Sequence, residues 1–272
     1  MKETDIGVIE AQLNQYEALF MQQTGQTLAE IAKIAVGLTG CYTNGKAAVI
    51  PVTSGFGVIS GFAQAVAAIL RHCGVETVVT GKTDVAGIQE AYLNRCDVAF
   101  LADDHVCAAL GIGSAIQSDN GWATGQGFAA ALVQVMKKRG ITIENTRVLI
   151  IGAGPVGHSA ARYLAGQRAI PVICDLDERK AAEAAKNIEN AVVLPAITSV
   201  QLYPYIIEAS TAADFITKAD VTENTIISAP GMPCGITEAA RETATVIHNP
   251  LELGIMTMYF DFIKKLKSWN QR

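Results

Sequence analysis

Val148-Leu149-Ile150-Ile151-Gly152-Ala153-Gly154-Pro155-Val156-Gly157 is the stretch that decides the fold. A strand-like apolar run leads into G-x-G-x-x-G, and the following Ser159-Ala160-Ala161-Arg162-Tyr163-Leu164 reads as helix. The glycines have separate tasks in such a turn. Gly152 permits the tight bend, Gly154 lets the backbone approach a pyrophosphate, and Gly157 lets helix and strand pack closely. Pro155 suits a first helical position, where no amide hydrogen is needed, and the Val156 and Gly157 amides beside it lie where phosphate is attracted. A bare G-x-G-x-x-G fits any tight strand-to-helix turn. Strand, three glycines, helix and a following acid together favour dinucleotide binding.

That acid is Asp175, which ends the next apolar run, Ile170-Pro171-Val172-Ile173-Cys174. A carboxylate there accepts hydrogen bonds from the adenosine ribose hydroxyls and repels a 2′-phosphate. Leu176 rather than Arg follows it, so NAD is expected over NADP, with Arg179 one turn on as the opposing signal. A solvated strand-end Asp is the plain alternative.

The chain has 272 residues, half of them apolar, enough for two hydrophobic cores. The expected class is α/β with two domains. Residues 1–123 would form an N-terminal α/β substrate domain preceded by helices, and 124–272 a C-terminal Rossmann dinucleotide-binding domain with bridging and closing helices. A net charge of −5 and a pI near 5.4 give no footprint for nucleic acid, and Lys137-Lys138-Arg139 and Lys264-Lys265 read as helix C-terminal charge. Six scattered cysteines lack any C-x-x-C or Cys/His ligand spacing, so they read as reduced, buried thiols, and no metal is expected. The start has no basic and apolar signal pattern, and no apolar stretch is long enough to span a membrane, so a cytoplasmic protein with no membrane partner is expected.

Apolar spacing predicts two helices within 1–38, separated by Gly25. Strand Ala48–Val52, helix Phe62–Arg71, strand Thr77–Val79, helix Ala86–Leu93 and strand Val98–Leu101 follow in a βαβαβ order, which implies parallel strands. A helix over Gly127–Lys138 bridges the halves. Strands near Arg147–Ile151, Ala169–Cys174, Val192–Leu194, Tyr205–Glu208, Thr225–Ser228 and Thr245–Ile247 alternate with short helices, and a closing helix runs from about Leu251 to Leu266.

Ligands in open α/β sheets bind beyond the carboxyl ends of strands. In the second half this selects Gly152–Gly157, Asp175, Ala209-Ser210-Thr211 and Ala229-Pro230-Gly231-Met232-Pro233. The cofactor candidates are therefore Gly152, Gly154, Pro155, Val156, Gly157, Asp175, Ser210, Thr211, Pro230 and Gly231. In the first half it selects Thr53-Ser54-Gly55-Phe56-Gly57 and Ala102-Asp103-Asp104-His105. Ser54 is either the N-cap of a helix beginning near Val58 or a substrate contact. Asp103 and Asp104 either cap a following helix or hold an amine. Asp119-Asn120-Gly121 has turn composition, with Asn120 alternatively turned towards a substrate; Thr124 reads as the cap of the bridging helix.

The strings Ile50-Pro51-Val52-Thr53-Ser54-Gly55-x-Gly57, Leu101-Ala102-Asp103-Asp104, Asp119-Asn120, Gly152–Gly157, Ala229-Pro230-Gly231-x-Pro233-Cys234 and Pro250-Leu251-x-x-Gly254 resemble the pyrrolysine synthase (PylD) family of dehydrogenases, over nearly the whole chain. The resemblance implies a small dipeptide-like substrate, L-lysine acylated on its side-chain nitrogen by 3-methyl-D-ornithine. It implies NAD-dependent oxidation of the terminal amine, loss of ammonia and water, and closure of the pyrroline ring. It further implies that Ser54, Asp103 and Asn120 contact the substrate, that the first helix closes over it, and that the protein is a homodimer. Another two-domain NAD dehydrogenase and a cofactor-sensing binding protein are the rival readings.

Overall fold

The computed structural model describes residues 9–54, 61–195, 200–249 and 251–269. They divide into two compact units. The first takes residues from 1–18, 28–123 and 251–272, the second from 19–27 and 124–250. Both are α/β, as expected.

The first unit opens on helix α1 (Ile9–Thr24), whose end beyond residue 18 counts with the second unit, and α2 (Leu28–Val36). Gly25, at φ +80°, makes the break between them. Strand β1 (Ala47–Val49), helix α3 (Phe62–His72), β2 (Thr77–Val79), α4 (Asp84–Leu93) and β3 (Val98–Ala102) form the expected parallel unit, with β1 between β2 and β3. Two further strands then depart from the sequence reading. After β3 the chain turns back as β4 (Cys107–Gly111) and again as β5 (Gln117–Asp119), both antiparallel to their neighbours, giving the order β2-β1-β3-β4-β5. Alanine-rich Cys107-Ala108-Ala109-Leu110 carries little strand propensity of its own, so its strand rests on pairing with β3 and β5 on either side. No helix follows Asp103 and Asp104 for them to cap.

Helix α5 runs over Asn120–Lys138, seven residues longer at its start than the spacing predicts. Thr124 therefore lies inside a helix and is not its cap. The capping oxygen is Asp119 Oδ1, which accepts the Trp122 amide at 2.8 Å.

The second unit holds β6 (Arg147–Ile151), α6 (Pro155–Gly166), β7 (Ile170–Cys174), α7 (Glu178–Ala185), β8 (Val192–Val193), β9 (Tyr205–Glu208), β10 (Ile226–Ser228), α8 (Glu238–Arg241) and β11 (Thr245–Ile247). All six strands are parallel, in the order β11-β10-β9-β6-β7-β8. Counted along the unit this is 3-2-1-4-5-6, the doubly wound order, and strand order reverses between β6 and β9. Near-continuous apolar burial along β6 and β7 fits a sheet covered on both faces.

The closing helix, α9 (Glu252–Trp269), returns to the first unit and not to the Rossmann half to which its position in the chain had assigned it. Every residue from Glu252 to Ile263 is buried, and a helix buried on all sides needs a core around it. Met256, Tyr259, Phe260 and Phe262 join Leu13, Val36, Val66 and Phe100 in one cluster. Polar ends lock the register. Tyr259 OH donates to Gly45 O at 3.0 Å, Lys264 Nζ to Val36 O at 2.6 Å, and Lys267 Nζ to Thr39 O at 3.0 Å. Among the cysteines, Cys96, Cys174 and Cys234 are buried as expected, but Cys41 is exposed. No helix among the described residues is long and apolar enough to cross a membrane.

Tyr259→Phe should lower unfolding stability by about 1–2 kcal/mol, because the buried Gly45 carbonyl loses its donor while the packing is kept. Denaturant midpoints measure this, and an unchanged midpoint would refute the proposed anchoring role of that bond.

Candidate functional site

In the second unit the glycine turn is held from inside. Gly152 sits at φ +99°, and a Cβ there would lie 2.6 Å from Ala209 O in the loop after β9. A Cβ on Gly157 would lie 1.9 Å from Gly152 O. Helix α5 presses on the same turn. Gly125 brings its backbone so near α6 that a Cβ would stand 2.3 Å from Val156 O, and buried Gln126 donates through Nε2 to Ser159 O at 2.9 Å. Gly154 differs, since a Cβ there would meet nothing within 4 Å. The fold itself makes no demand for glycine at 154, so open space beside its backbone is available to an outside group. Gly154 is the N-cap of α6, Pro155 lies in its first turn, and the amides of that turn have no partner within the helix. Together they fit a pyrophosphate.

A cleft of about 680 Å³ opens from this turn, lined by Gly154, Pro155, His158, Arg162, Lys180 and Lys186 among others. Three cationic side chains against Glu183 favour anions along its wall. Asp175 lies at the end of β7, half-buried. Its Oδ2 accepts the Ala153 amide at 2.8 Å and its Oδ1 the Asp177 amide at 2.9 Å. Burial opposes its ionisation, but those two donors and the charge of Lys180 prevail and hold the pKa below the usual carboxylate value. Leu176 is fully exposed, and Arg179 reaches Asp177, at 3.4 Å.

Across the strand-order reversal, Ser210 and Gly231 do not simply face outward. Ser210 Oγ donates to Glu208 Oε1 at 2.6 Å, and the buried Gly231 donates its amide to Glu208 O at 3.0 Å. Crowding explains this glycine, because a Cβ on it would lie 2.5 Å from Glu208 Oε2. Thr211 is exposed and Pro230 half-buried beside them. Glu208 escaped the sequence reading, since one carboxylate ending an apolar strand looks like any strand-end acid.

In the first unit Ser54, Asp103 and Asn120 lie on one edge of the sheet. β1 and β3 are parallel, and two antiparallel reversals return β5 to the direction of β3. Ser54 follows the end of β1, Asp103 that of β3, and Asn120 that of β5. Register places Asn120 level with Cys107, whose partner is Ala102. Ser54 is exposed, and the proposed helix start near Val58 lies outside the described residues. The preceding Thr53 is clamped by Asp84, which accepts its amide at 2.8 Å and its hydroxyl at 2.6 Å. Those bonds hold the Asp84 carboxyl below its usual pKa. Asp84 adopts φ +51° at the start of α4, a left-handed conformation uncommon outside glycine. Sequence reading had no signal for this clamp.

Asp103 is a turn organiser. Its Oδ1 accepts the amides of His105 and Val106 at 2.8 and 2.7 Å, and its own amide donates to Val106 O at 2.9 Å. These amides, with a smaller contribution from the His105 charge, keep the exposed carboxyl ionised below its ordinary pKa. Among the described residues no group of three His, Cys, Asp or Glu side chains could hold a metal.

Residues 5–115 match the family profile described as the N-terminal domain of the pyrrolysine biosynthesis protein PylD. The chain is 29% identical over 261 residues to the pyrrolysine synthase of Methanosarcina barkeri, covering 95% of this chain and 96% of that one. Among solved structures, shikimate dehydrogenase from Aquifex aeolicus aligns with a TM-score of 0.53 at 12% identity, covering 86% of this chain and 95% of its own. Quinate dehydrogenase from Corynebacterium glutamicum, solved in complex with NAD, aligns at 0.52 with 13% identity, covering 82% and 95%. These likenesses show the fold, and the family resemblance read from the motifs is borne out.

Gly157→Ala should lower the melting temperature sharply, by overpacking costing about 1–3 kcal/mol or more, whereas Gly154→Ala should leave it unchanged. Equal losses in a thermal melt would remove the distinction between a packing glycine and an open one. Asp175 gives a pH test. Its folded pKa lies below the unfolded value, so its stabilisation is present above about pH 4 and is lost as acid protonates it. The stability gap between wild type and Asp175→Asn should be constant near neutrality and close in acid; a gap that widens in acid would contradict this.

Proposed function

We propose that this chain is a pyrrolysine synthase, an NAD-dependent amine dehydrogenase. It oxidises the terminal amine of L-lysine acylated at Nε by 3-methyl-D-ornithine, and the product closes to the pyrroline ring. The observation that carries this is similarity along 95% of the chain to a pyrrolysine synthase. The open backbone at Gly154, inside an otherwise crowded turn, supports the dinucleotide. The ionised Asp175 supports NAD over NADP, because its charge opposes a 2′-phosphate. A homodimer in the cytoplasm is part of the same reading.

Bound at this turn, NAD would accept the hydride from the amine-bearing carbon. The chain's own residues prepare that carbon. An alkylammonium, with a pKa of about 10, has no lone pair to form the developing C=N bond, so the amine must be neutral as it reacts. Asp103, with Oδ1 fixed by two amides, offers Oδ2 to hold the amine and supplies orientation more than proton transfer. Ser54, steadied through Thr53 and Asp84, and Asn120, at the head of α5, grip the rest of the substrate from the same sheet edge. Water then adds to the imine and ammonia departs. The resulting aldehyde condenses with the substrate's own α-amine and releases that water, a five-membered closure favoured by its intramolecularity. The net change is loss of one ammonia and two hydrogens.

Incubation of the full chain with this dipeptide and NAD should yield NADH and a product lighter by that amount; oxidation of a hydroxy acid in its place, with the dipeptide left unchanged, would overturn the assignment. Asp103→Asn should lower turnover by about a hundredfold through misplacement of the amine, with NAD affinity unchanged in a titration. Wild-type turnover should climb towards alkaline pH as the amine loses its proton, and a flat profile would contradict the neutral-amine requirement.

A further inference from the structure

Glu208 takes no part in the steps above, yet its carboxylate is fully buried at the carboxyl end of the Rossmann sheet, 0% exposed. Oε1 accepts the Ser210 amide at 2.9 Å and the Ser210 hydroxyl at 2.6 Å, and Oε2 accepts the Gly235 amide at 3.2 Å. Its main-chain oxygen takes the Gly231 amide at 3.0 Å. Two glycines are pressed on it, since a Cβ on Gly231 would lie 2.5 Å from Oε2 and one on Gly235 2.8 Å from Cδ. Three pieces of loop therefore converge on one side chain: 209–212 after β9, 229–231 after β10, and 234–235.

Every side-chain contact is a donor. Such a set suits a carboxylate, whose two oxygens only accept. None of the described ion pairs includes Glu208, so the amides and the hydroxyl are what stabilise its charge. Burial raises its pKa above the ordinary glutamate value against the pull of those donors. A charge without a cation is costly in a core, and a neutral strand end would be cheaper. What the charge secures is the joint position of loops that no regular element holds.

Those loops have a definite place in the fold. Asp175 and the glycine turn lie on the β6–β7 side of the order reversal and serve the adenosine and pyrophosphate. A dinucleotide crosses the crevice between β6 and β9, so the ends of β9 and β10 face its other end. Resting on the cofactor reading above, we propose that Glu208 is the positioning residue that fixes the 209–212 and 229–235 loops around the nicotinamide end of the cofactor.

Titration calorimetry of the full chain with ADP-ribose and with NAD separates the two ends. Glu208→Gln keeps the shape, removes the charge, and turns one acceptor into an NH2 group facing a donor. Affinity for ADP-ribose should stay within about twofold, while that for NAD should fall about tenfold, equivalent to about 1.4 kcal/mol. Ser210→Ala deletes one donor and keeps the amide; it should show the same selectivity at smaller size, and decides the matter if Glu208→Gln does not fold. Equal weakening of both ligands, or of neither, overturns the proposal. A wild-type chain that binds neither overturns the cofactor reading instead.

Discussion

The 1.9 Å between Gly152 O and the place a Cβ on residue 157 would occupy is the constraint around which the second unit is arranged. A helix can start so close to the strand before it only where a side chain is missing. Once it does, the turn is confined by Ala209 O from β9 and by Gly125 and Gln126 from α5. The approaches at Ala209 and Gly125 are closer than any Cβ would allow, and Gln126 adds an ordinary hydrogen bond. What remains uncovered is the backbone at Gly154 and the first turn of α6, and that is where polar N–H groups accumulate without helical partners. The polar surface at this turn is thus what the packing leaves uncovered.

The first unit solves a different problem with a different device. Parallel crossovers deliver Ser54 and Asp103 to one edge of the sheet, and a crossover to a third strand would have needed another helix. Two tight reversals through β4 and β5 bring Asn120 to that edge within a short length of chain. The loops there are then stiffened by carboxylates accepting backbone amides, Asp84 for Thr53 and Asp103 for its own turn. Asp103 shapes its hairpin through one carboxylate oxygen, which accepts both the His105 and Val106 amides.

What the sequence disclosed and what it concealed divide along a physical line. The βαβ segments, the glycine turn, Pro155 and Asp175 follow from local periodicity and from steric rules that operate within about thirty residues. The β4–β5 hairpin was hidden because the alanines of β4 have little strand preference of their own and are held as strand by their partners in β3 and β5. The start of α5 was obscured by turn-like Asp119-Asn120-Gly121, where capping by Asp119 prevails over composition. Glu208, Asp84 and Gln126 act through partners that chain spacing does not reveal. The positions of Ser54, Asp103 and Asn120 on one edge needed both the strings that carry the family resemblance and the reversals of the hairpin.

The return of α9 to the first unit has a consequence for how the molecule comes into being. Because Met256, Tyr259, Phe260 and Phe262 complete a core begun by Leu13 and Val36, the half of the chain made first is the half finished last. The Rossmann unit has all its strands before residue 250 is added and can form while synthesis continues. The first unit, whose core joins Val36, Val49 and Phe100 to residues of α9, is incomplete until the final helix arrives. A nascent chain is therefore able to complete the Rossmann sheet before it can close the core of the first unit.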